Sequence, residues 1–585
     1  MTKPMKLELT WTGKDKRPRL EPRILLEDHA LSYQRSRQVR GMVDMLDDSS
    51  TEAPQAFNDN VLIQGDNLLA LKALEVKYAN QVKCVYIDPP YNTGSAFDLY
   101  DDAVEHSTWL SLMRDRLEII RNLLAPNGFI CCHIDDSEGH YLKVLMDEVF
   151  GRSNYVVTLY VQVRYADKTL KQDMAFHKQV EQIHVYRKEY GALPNQNIKD
   201  LSFEKFCYHV IEVGKAKEVT LGGKLVSVFP SGHWKVEKRE GSSTGLKEIW
   251  ATGSILDGNS SGRFFRDYLT GRVKEDGLGA LYKVEGIGDD GLGYRYLTGP
   301  ARATATKGKY YQGVPLGKLE PDAKPQTSPI ENFYDLAANF GNCRHEGGVE
   351  FRSGKKPEAL LEIVLKHFSS PGDLVLDSFG GSGSTGAAAH KMGRRWIMIE
   401  LGEHCQTHIA ARLKKVIDGE DSTGISKAVN WQGGGGFRYF RLAPSLLKKD
   451  KWGNWIINPE YNAEMLAEAV CRHMGFAYAP SAAHFWLHGH SSETDFIYVT
   501  TGSLSHDQLR TISEDVGSER SLMICCKAFM ADAEAFPNLT LKKIPKSILG
   551  KCEWDHDDYS FSINVLEEQE ESVSLVDTDG EEDPE

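Results

Sequence analysis

The chain has 585 residues, 26% of them charged, and a formal net charge of −14 at pH 7. A chain of this length is expected to form about two to four domains with a substantial core. It contains no stretch of about 18 apolar residues, which excludes a transmembrane helix. The segment Met1–Leu20 also lacks the apolar core of a signal peptide. We therefore predict a cytoplasmic protein that has no membrane partner.

Neither the charge nor the cysteines identify a partner. Much of the negative charge lies in residues 567–585, which contain ten acidic residues and no Lys or Arg. We expect residues 566–585 to form a disordered acidic tail, so the overall charge neither supports nor excludes nucleic-acid binding. The ten cysteines include no C-x-x-C pair, which predicts reduced core thiols and no metal site.

The first elements are an arm, a strand and a helix. Residues 1–55 show little periodicity, and we expect an extended arm that packs on the protein or braces a dimer. The apolar run Asn60–Ile63 then predicts a short strand, and leucines at helical spacing from Leu68 to Leu74 predict a helix behind it. Asp66 or Asn67 is expected either to cap this helix or to bind a ligand, and the residues alone leave both interpretations open.

The next strand ends in a motif suited to binding an amino group. Val85–Ile87 predicts a buried strand that stops at Asp88-Pro89-Pro90-Tyr91. Ligands bind at the carboxyl ends of strands in open α/β sheets. Asp88 and the Pro89 carbonyl can both accept hydrogen bonds from an amine. Pro90 stiffens the turn, and Tyr91 can stack on a base. The weaker alternative is a purely structural Pro-Pro turn.

This motif resembles the Asp/Asn/Ser-Pro-Pro-Tyr/Phe/Trp signature of the DNA amino-methyltransferases. The Asp form is usual in enzymes that make N6-methyladenine, whereas the Ser form is similar to N4-cytosine enzymes. The resemblance implies that Asp88 to Tyr91 form the catalytic motif. It also implies that Asp66 or Asn67 contacts the adenine amine of S-adenosylmethionine.

Alternating elements follow the motif. A helix from His106 to about Leu124 and a strand from Phe129 to Ile134 predict a parallel, doubly wound sheet. Trp109 would lie near the cofactor by family resemblance, although filling the core explains it equally well. Two further strands are expected between Asn154 and Lys188. The loop between them suits DNA phosphates or is a solvated hairpin tip. Its basic residues are Arg164, Lys168, Lys171, His177 and Lys178.

Residues 190–330 differ from the rest of the chain. Glycines are frequent, and short aromatic stretches alternate with turns. Basic and aromatic residues are interleaved in Ser260–Arg266 and Lys307–Tyr311, as contacts with grooves and single strands require. We predict an inserted target-recognition domain, and the residues do not identify the bases that it reads.

The sheet is expected to resume after the insert with a cofactor site. A helix from Pro357, next to Lys355, offers free N–H groups to a carboxylate. The segment Leu374–Gly386 predicts a strand, a glycine turn and a helix, in which Asp377 holds a ligand ammonium or braces the turn. The next strand ends at Glu400, which can bind ribose hydroxyls. The candidate residues are Lys355, Pro357, Asp377, Phe379, Gly381, Gly383 and Glu400.

The glycine turn also fits another class of enzyme. Gly381, Gly383 and Gly386 match G-x-G-x-x-G with Glu400 at a suitable distance, as in nicotinamide dehydrogenases. That motif alone is weak, and Asp-Pro-Pro-Tyr has no role in hydride transfer. The turn from Asp377 to Gly383 is similar to S-adenosylmethionine sites, so we favour a methyltransferase.

The order of the motifs resembles the β class of DNA amino-methyltransferases. The amine motif precedes the cofactor motif, and a resemblance to Mod subunits of type III restriction–modification systems covers about residues 7–440. It implies an α/β fold, a circularly permuted Rossmann-like methyltransferase with an inserted target-recognition domain. With this resemblance we predict the arm 1–55, the catalytic half 56–189, the target-recognition domain 190–330 and the cofactor half 331–440. The residues beyond the resemblance predict a C-terminal α/β partner or dimer domain 441–565 and the tail 566–585.

We therefore predict a site-specific DNA methyltransferase that moves a methyl group from S-adenosylmethionine to N6 of a flipped-out adenine in double-stranded DNA. The Mod resemblance implies a homodimer and a Res helicase–nuclease on a separate chain, because no Walker-type phosphate loop occurs in this sequence. The alternatives are a standalone enzyme, an N4-cytosine methyltransferase and a non-enzymatic DNA-specificity subunit.

Overall fold

The computed structural model describes residues 8–35, 60–91, 106–167, 176–199, 202–251, 260–319, 326–351 and 354–559. The chain divides into two compact units, one of Met1–Asn195 with Glu331–Glu585 and the other of Gln196–Ile330. The expected tail 566–585 and much of the expected arm 1–55 lie outside the described residues, as do Lys168 and Lys171.

The first unit is built on an eleven-stranded sheet. In space the strands follow the order β1–β11–β3–β10–β9–β4–β5–β7–β6–β8, and β2 pairs with β11. The strands are β1 (Leu25–Glu27), β2 (Tyr33–Gln34), β3 (Val61–Gln64), β4 (Val82–Ile87), β5 (Leu124–Ile134), β6 (Tyr155–Gln162), β7 (Val180–Arg187), β8 (Phe333–Asp335), β9 (Leu374–Asp377), β10 (Arg395–Glu400) and β11 (Gly436–Leu442).

The centre of this sheet is parallel and its margins are mixed. The six strands from β11 to β5 pair in parallel. Strand β7 runs antiparallel to β5 and β6, and β1 runs antiparallel to β11. The prediction of a parallel sheet is correct for the centre, whereas the margins also contain antiparallel pairs. One of these, β6 with β7, is the pair that the hairpin interpretation of the basic loop implied. Antiparallel neighbours need no crossover helix, so the helix–strand alternation of the central part could not reveal them.

Helices cover both faces because successive side chains of a strand point to opposite sides. On one face, Val85 and Leu376 pack with the first three helices of this unit. On the other face, Tyr86 and Val375 pack with three later helices. The helices of these two layers are α1 (Asn67–Tyr78), α2 (His106–Leu123), α3 (Gly139–Met146), α4 (Glu358–Phe368), α5 (Ser384–Lys391) and α6 (Ala411–Asp418), and a further short helix spans Ala337–Asn342.

The described part of the N-terminal arm packs on the first unit. The Trp11 indole donates to Ser111 Oγ at 2.7 Å, and Arg17 pairs with Asp115 and Glu118 at 2.8 Å. All three partners lie on α2. The arm then joins the sheet as β1. We expected the arm either to pack on the protein or to brace a dimer, and packing on the protein is observed for residues 8–27.

Residues after β11 add a small second sheet to the same unit. A helix spans His506–Val516, and the strands Asp495–Val499 and Ser521–Cys526 on either side of it pair in parallel. A second helix spans Ala463–Met474. The five strands are Ala477–Tyr478, Gly489–His490, Asp495–Val499, Ser521–Cys526 and Leu539–Lys543, and two-stranded pairs join Leu447–Lys449 to Trp455–Ile457 and Ser503–Ser505 to Ala528–Met530.

The second unit, Gln196–Ile330, contains a six-stranded antiparallel sheet. Its strands are, in spatial order, Lys217–Leu221, Lys224–Phe229, Leu281–Glu285, Tyr294–Thr298, Gly308–Gln312 and Lys247–Ala251. Two smaller pairs join Tyr208–Glu212 to Trp234–Lys238 and Asn197–Lys199 to Gln326–Ser328, and short helices span Ser260–Phe264 and Val273–Asp276.

The aromatic residues singled out in this unit are core residues. Phe264, Phe265, Tyr310 and Tyr311 are buried, so these four rings belong to the core of the unit. Phe264 and Phe265 lie on a helical segment that packs against the sheet, whereas Tyr310 and Tyr311 lie on a strand of the sheet itself. Aromatic groups supply much of the apolar area of a small core. Trp250 is 59% exposed instead, with Lys309 Nζ 4.9 Å from its ring centroid.

Membrane-spanning helices and metal clusters are both absent from the described residues. Among the described helices, none has the length and apolarity needed to cross a membrane. Within the described ranges, no group of three or more His, Cys, Asp or Glu side chains is placed to hold a metal ion. The ten cysteines are buried free thiols.

The buried centre of the sheet gives a test of the fold. Leu376 is fully buried on β9, so Leu376→Ala should lower the free energy of unfolding by about 2–5 kcal/mol. The matched control is Val76→Ala, since Val76 is 77% exposed on α1, and its effect should stay within about 0.5 kcal/mol. Urea unfolding of the full chain measures both. Equal midpoints for the two variants would contradict this core.

Candidate active site

Two strand ends meet at one edge of the sheet. Strands β4 and β9 are parallel neighbours, with Cys84 beside Val375 and Val85 beside Leu376. Strand β4 ends at Ile87 and strand β9 ends at Asp377, so the turns that begin with Asp88 and Ser378 both start at this edge. The amide of Asn67 donates to the Ser378 carbonyl at 2.9 Å, which ties α1 to the same edge. The structure thus brings the amine motif and the glycine turn together.

The Asp-Pro-Pro-Tyr turn is held rigidly. Trp109 is fully buried, and its indole N–H donates to the Pro90 carbonyl at 2.9 Å. Pro89 is buried, while Asp88 and Pro90 are half-buried. Trp109 therefore fills the core, as one of the two interpretations predicted, and also fixes the turn.

Asp88 has an acceptor that its described neighbours leave open. Its Oδ1 is buried and accepts no hydrogen bond of good geometry from the described residues. The Lys356 ammonium lies 3.4 Å from it. A buried carboxylate oxygen normally has a donor, so this atom is suited to receive one from a ligand.

Tyr91 is oriented by two charged groups. Its hydroxyl donates to Glu181 Oε2 at 3.0 Å and accepts from Lys356 Nζ at 2.6 Å. Burial, together with the charges of Asp88 and Glu181, raises the pKa of Tyr91 well above its usual range. The side chain is therefore a neutral phenol whose ring cannot rotate freely away from the turn.

The sequence analysis proposes Lys355 as a cofactor-binding residue. The structure instead places the ammonium of the neighbouring Lys356 beside Asp88. The Lys355 ammonium binds the backbone carbonyls of Arg344, Glu346 and Val349. Burial and the neighbouring Arg412 lower the pKa of Lys355 to about 8. Two adjacent lysines cannot be told apart by pattern, because the direction of each side chain is set by tertiary packing. Glu181 was also missed, since it occupies an ordinary polar position of an alternating strand.

The predicted anion site at α4 is already used by the chain itself. The helix begins at Glu358, with Pro357 as the preceding cap residue rather than the first helical residue. The Glu358 N–H donates to Glu346 Oε2 at 3.0 Å. Pro357 therefore shapes this segment, and Glu346 supplies the carboxylate that the helix N-terminus favours.

Asp377 braces the glycine turn, which is one of the two roles predicted for it; the other was to hold a ligand ammonium. Its carboxylate accepts from the Phe379 N–H at 2.9 Å and from the Thr385 hydroxyl at 2.6 Å. Burial raises the pKa of Asp377 to about 8, and the charges of Asp88 and Glu400 act in the same direction. The charge effect of Asp88 is a second sign that the two strand ends are close.

The glycines of the turn are required by its geometry. Gly381 and Gly383 have φ angles of +50° and +76°, which favour glycine. A Cβ at Gly383 would lie 2.9 Å from Ile409 Cγ2. Gly383 also caps the start of α5. The backbone of this turn is consequently bare and able to approach a ligand closely.

Glu400 closes the turn from the neighbouring strand. Its carboxylate accepts from the Gly381 N–H at 2.7 Å and the Gly402 N–H at 3.2 Å, and His404 Nε2 lies 3.1 Å away. Burial favours the neutral acid, but the His404 contact and the backbone N–H groups outweigh it and lower the pKa of Glu400.

Asp66 and Asn67 also have partners within the chain. Asp66 caps α1 by accepting from the Leu69 N–H at 3.0 Å, and its other oxygen accepts from the Tyr559 N–H at 2.9 Å. Asn67 accepts from Arg116 at 2.6 Å. The capping interpretation of Asp66 is therefore observed.

Comparisons with known proteins identify a family for this chain. A model of the family described as DNA methylase matches residues 82–411, a span that runs from the start of β4 to α6. The chain belongs to the DNA methylase family.

Curated relatives of this DNA methylase include Mod subunits. It is 33% identical over 412 residues to the probable type III restriction-modification enzyme HindVI Mod subunit of Haemophilus influenzae, covering 66% of this chain and 54% of the relative. It is 27% identical over 401 residues to the EcoPI Mod subunit of Escherichia phage P1, covering 62% and 58%. The methylase therefore spans about half the length of these relatives.

Solved structures of DNA methylases also align with the chain. One is TTHA0409, a putative DNA modification methylase from Thermus thermophilus complexed with S-adenosyl-L-methionine. It has a TM-score of 0.29 and 14% identity, and the alignment covers 65% of this chain and 97% of that one.

The buried acid of the methylase's glycine turn predicts a pH effect. The pKa of Asp377 is about 8 in the folded chain and 3.8 ordinarily. Between these values the unfolded chain releases a proton that the folded chain keeps, so this group lowers the free energy of unfolding as pH rises. Asp377→Asn cannot ionise. It should therefore lose less stability than the wild type between pH 5 and pH 8 in urea unfolding.

The matched control for that experiment is Asp507→Asn, because the Asp507 side chain is 81% exposed. It should follow the wild-type pH dependence. If Asp377→Asn shows the same change between the two pH values as the wild type, Asp377 does not carry the raised pKa.

Proposed function

We propose that this chain transfers a methyl group from S-adenosylmethionine to N6 of a flipped-out adenine in double-stranded DNA. The observation that carries the proposal is Asp88 Oδ1, a buried oxygen that faces the Lys356 ammonium at 3.4 Å but accepts no hydrogen bond of good geometry from the described residues, on a turn beside the glycine loop of β9. Membership of the DNA methylase family supports the same class of reaction.

The residues of the glycine loop fit S-adenosylmethionine. The turn has no side chains at Gly381 and Gly383. Its Phe379 N–H donates to Asp377 and its Gly381 N–H donates to Glu400. When bound, the cofactor would supply an electrophilic methyl group. We propose that Phe379, Gly381 and Gly383 line its binding site, together with Asp377 and Glu400.

The remaining cofactor candidates have smaller proposed roles. Asp66, like Glu400, already accepts hydrogen bonds from the chain, but a carboxylate has about four lone-pair positions, so a ligand donor can still be added. Asn67 positions the loop through the Ser378 carbonyl. Lys355 and Pro357 shape the segment next to it without reaching the acceptor of Asp88.

The chemistry assigned to the amine site is mainly positioning. The adenine leaves the base stack at a cost of a few kcal/mol, and Tyr91 stacks on it. Asp88 and the Pro89 carbonyl accept the two amino hydrogens, which orients the nitrogen lone pair toward the methyl carbon. A bound cofactor would supply the methyl group and keep the carbon–sulfur bonding pair as a neutral thioether, while the methylated amine would lose its extra proton to water.

The chain order supports a circularly permuted arrangement. β4 and the amine motif come first, the unit Gln196–Ile330 follows, and β9 with the glycine turn comes last. The strands nevertheless lie side by side in one sheet. We propose Gln196–Ile330 as the target-recognition domain, with the exposed Trp250 and the adjacent Lys309 as groups available to nucleic acid.

Methylation of DNA by the purified chain tests the reaction. Nucleoside mass spectrometry of treated DNA should show N6-methyladenine that depends on S-adenosylmethionine. Asp88→Ala should reduce its formation by about 100-fold or more, the effect of removing one preorganised hydrogen-bonding group, while S-adenosylmethionine binding by calorimetry is retained.

The control for that variant is the exposed Asp507→Ala, which should methylate as the wild type does. If the product is N4-methylcytosine, the target base is cytosine and the proposed adenine specificity is wrong. DNA binding without any methylated nucleoside would favour a DNA-specificity subunit instead.

We also propose that the chain acts as a homodimeric Mod-type subunit with a Res helicase–nuclease, as the names of its curated relatives suggest. Purification of the tagged full chain from its native cells should recover a helicase–nuclease in fixed ratio, and light scattering should give twice the chain mass. Recovery of an active chain alone would instead indicate a standalone methyltransferase.

A further inference from the structure

A continuous chain of buried polar groups lies behind the amine acceptor. The Tyr86 hydroxyl is 2.8 Å from His133 Nδ1, and His133 Nε2 is 2.8 Å from Glu181 Oε2. The same Glu181 oxygen is 3.1 Å from Lys356 Nζ, which is 3.4 Å from Asp88 Oδ1. The chain joins β4, β5, β7 and the segment before α4.

These groups are too buried to be ordinary surface ion pairs. Tyr86 and His133 are almost fully buried, and the Lys356 side chain is only 10% exposed. A buried ammonium is costly unless it has both charge partners and hydrogen bonds. Lys356 has both, since it faces Asp88 and Glu181 and donates to the Tyr91 hydroxyl.

The electrostatics agree with an ionised lysine and an ionised Glu181. Burial opposes the charge of Lys356, but Asp88 and Glu181 more than compensate and raise its pKa. Burial likewise opposes the charge of Glu181, yet Lys356 and His133 lower the pKa of Glu181 strongly. The pair is therefore stable as an ammonium beside a carboxylate.

The surroundings of Asp88 contain several groups that can titrate. They are Tyr86 and Tyr91 from the strand and turn of Asp88 itself, Cys132 and His133 from β5, Glu181 from β7, Asp377 from β9 and Lys356 from the segment before α4. Without the ammonium, Asp88 would face the Glu181 carboxylate with no cation between them, and neighbouring like charges favour protonation. Asp377 is a neutral acid below its pKa of about 8 and adds to this repulsion only at higher pH.

We propose that Lys356, held by Glu181, is a positioning residue that keeps Asp88 as a carboxylate able to accept the target amine. This inference rests on the proposed methyl transfer. An ionised carboxylate only accepts hydrogen bonds, whereas a protonated one also presents an O–H donor. That donor would compete for the nitrogen lone pair that must attack the methyl carbon.

The two members of the pair should shift the pH dependence in different ways. Removing the ammonium in Lys356→Gln should move the acidic limb of the kcat–pH profile upward by about one to three pH units, the effect of one opposite charge at this distance. Glu181→Gln removes an anion and leaves the ammonium for Asp88, so its acidic limb should not move upward. Lys356→Arg keeps a charge and should retain the wild-type limb.

The experiment measures methyl transfer to DNA by the full chain from pH 5 to pH 9, with S-adenosylmethionine binding by calorimetry as a check on folding. The matched control is Lys366→Gln, because Lys366 is exposed on α4, and it should leave the profile unchanged. Loss of activity by the same factor at every pH in Lys356→Gln would indicate a structural role and overturn the inference. An upward shift in both Lys356→Gln and Glu181→Gln would also overturn it.

Failure of the proposed function is distinguishable in the same experiment. If the wild type forms no methylated nucleoside at any pH, the proposed reaction is wrong and the inference falls with it. If the wild type is active and the acidic limb of Lys356→Gln stays in place, only the role of Lys356 is wrong. If Lys356→Gln does not fold, the acidic limbs of Lys356→Arg and Glu181→Gln decide, because both must stay at or below the wild-type position.

Discussion

The pairing of β4 with β9 is the constraint on which the site depends. Their residues are far apart in the sequence, yet Val85 lies beside Leu376. Parallel neighbours present their carboxyl ends at the same edge of a sheet, so the Pro-Pro turn and the glycine turn become adjacent whatever the order in which the chain visits them. Buried side chains on both faces hold this register, because a slip of one residue would exchange the two faces.

Local patterns were sufficient to predict the parts of the site that are contiguous in sequence. Each central strand is a short apolar run bounded by turn residues, and the four residues from Asp88 to Tyr91 carry their chemistry together. The antiparallel margins could not be predicted in this way. Strand β7 contains a buried block, Ile183–Tyr186, which has the same composition as a parallel core strand, so its direction follows only from its neighbours.

The contacts that individual side chains make were the feature least predictable from the sequence. Lys355 and Lys356 are adjacent and chemically identical, but one ammonium binds backbone carbonyls and the other reaches Asp88. The aromatic residues of the insert pose the same problem. Tyr310 and Tyr311 resemble nucleic-acid contacts beside lysines in sequence, yet both are buried, because a small antiparallel sheet needs large apolar side chains to form its core.

The acids at the strand ends show why a motif does not by itself identify a ligand contact. Asp66, Asp377 and Glu400 all have hydrogen-bond donors within the chain. A buried carboxylate without donors is strongly destabilising, so the fold must satisfy these groups before any ligand arrives. Bracing and ligand binding are compatible, since one carboxylate can accept several hydrogen bonds. A preorganised loop then needs little further ordering when it binds a ligand.

The charge balance of the amine site bears on the proposed reaction itself. Asp88 and Glu181 contribute two carboxylates and Lys356 one ammonium, so this cluster carries an excess of one negative charge when all three are ionised. Positive charge develops on the amine nitrogen as the nitrogen–carbon bond forms. A fixed, buried negative charge beside that nitrogen stabilises the transition state more than the neutral ground state. In the proposed role of Lys356, its ammonium opposes the like charges around Asp88, while the second carboxylate, Glu181, holds that ammonium in place and leaves the cluster with its net negative charge.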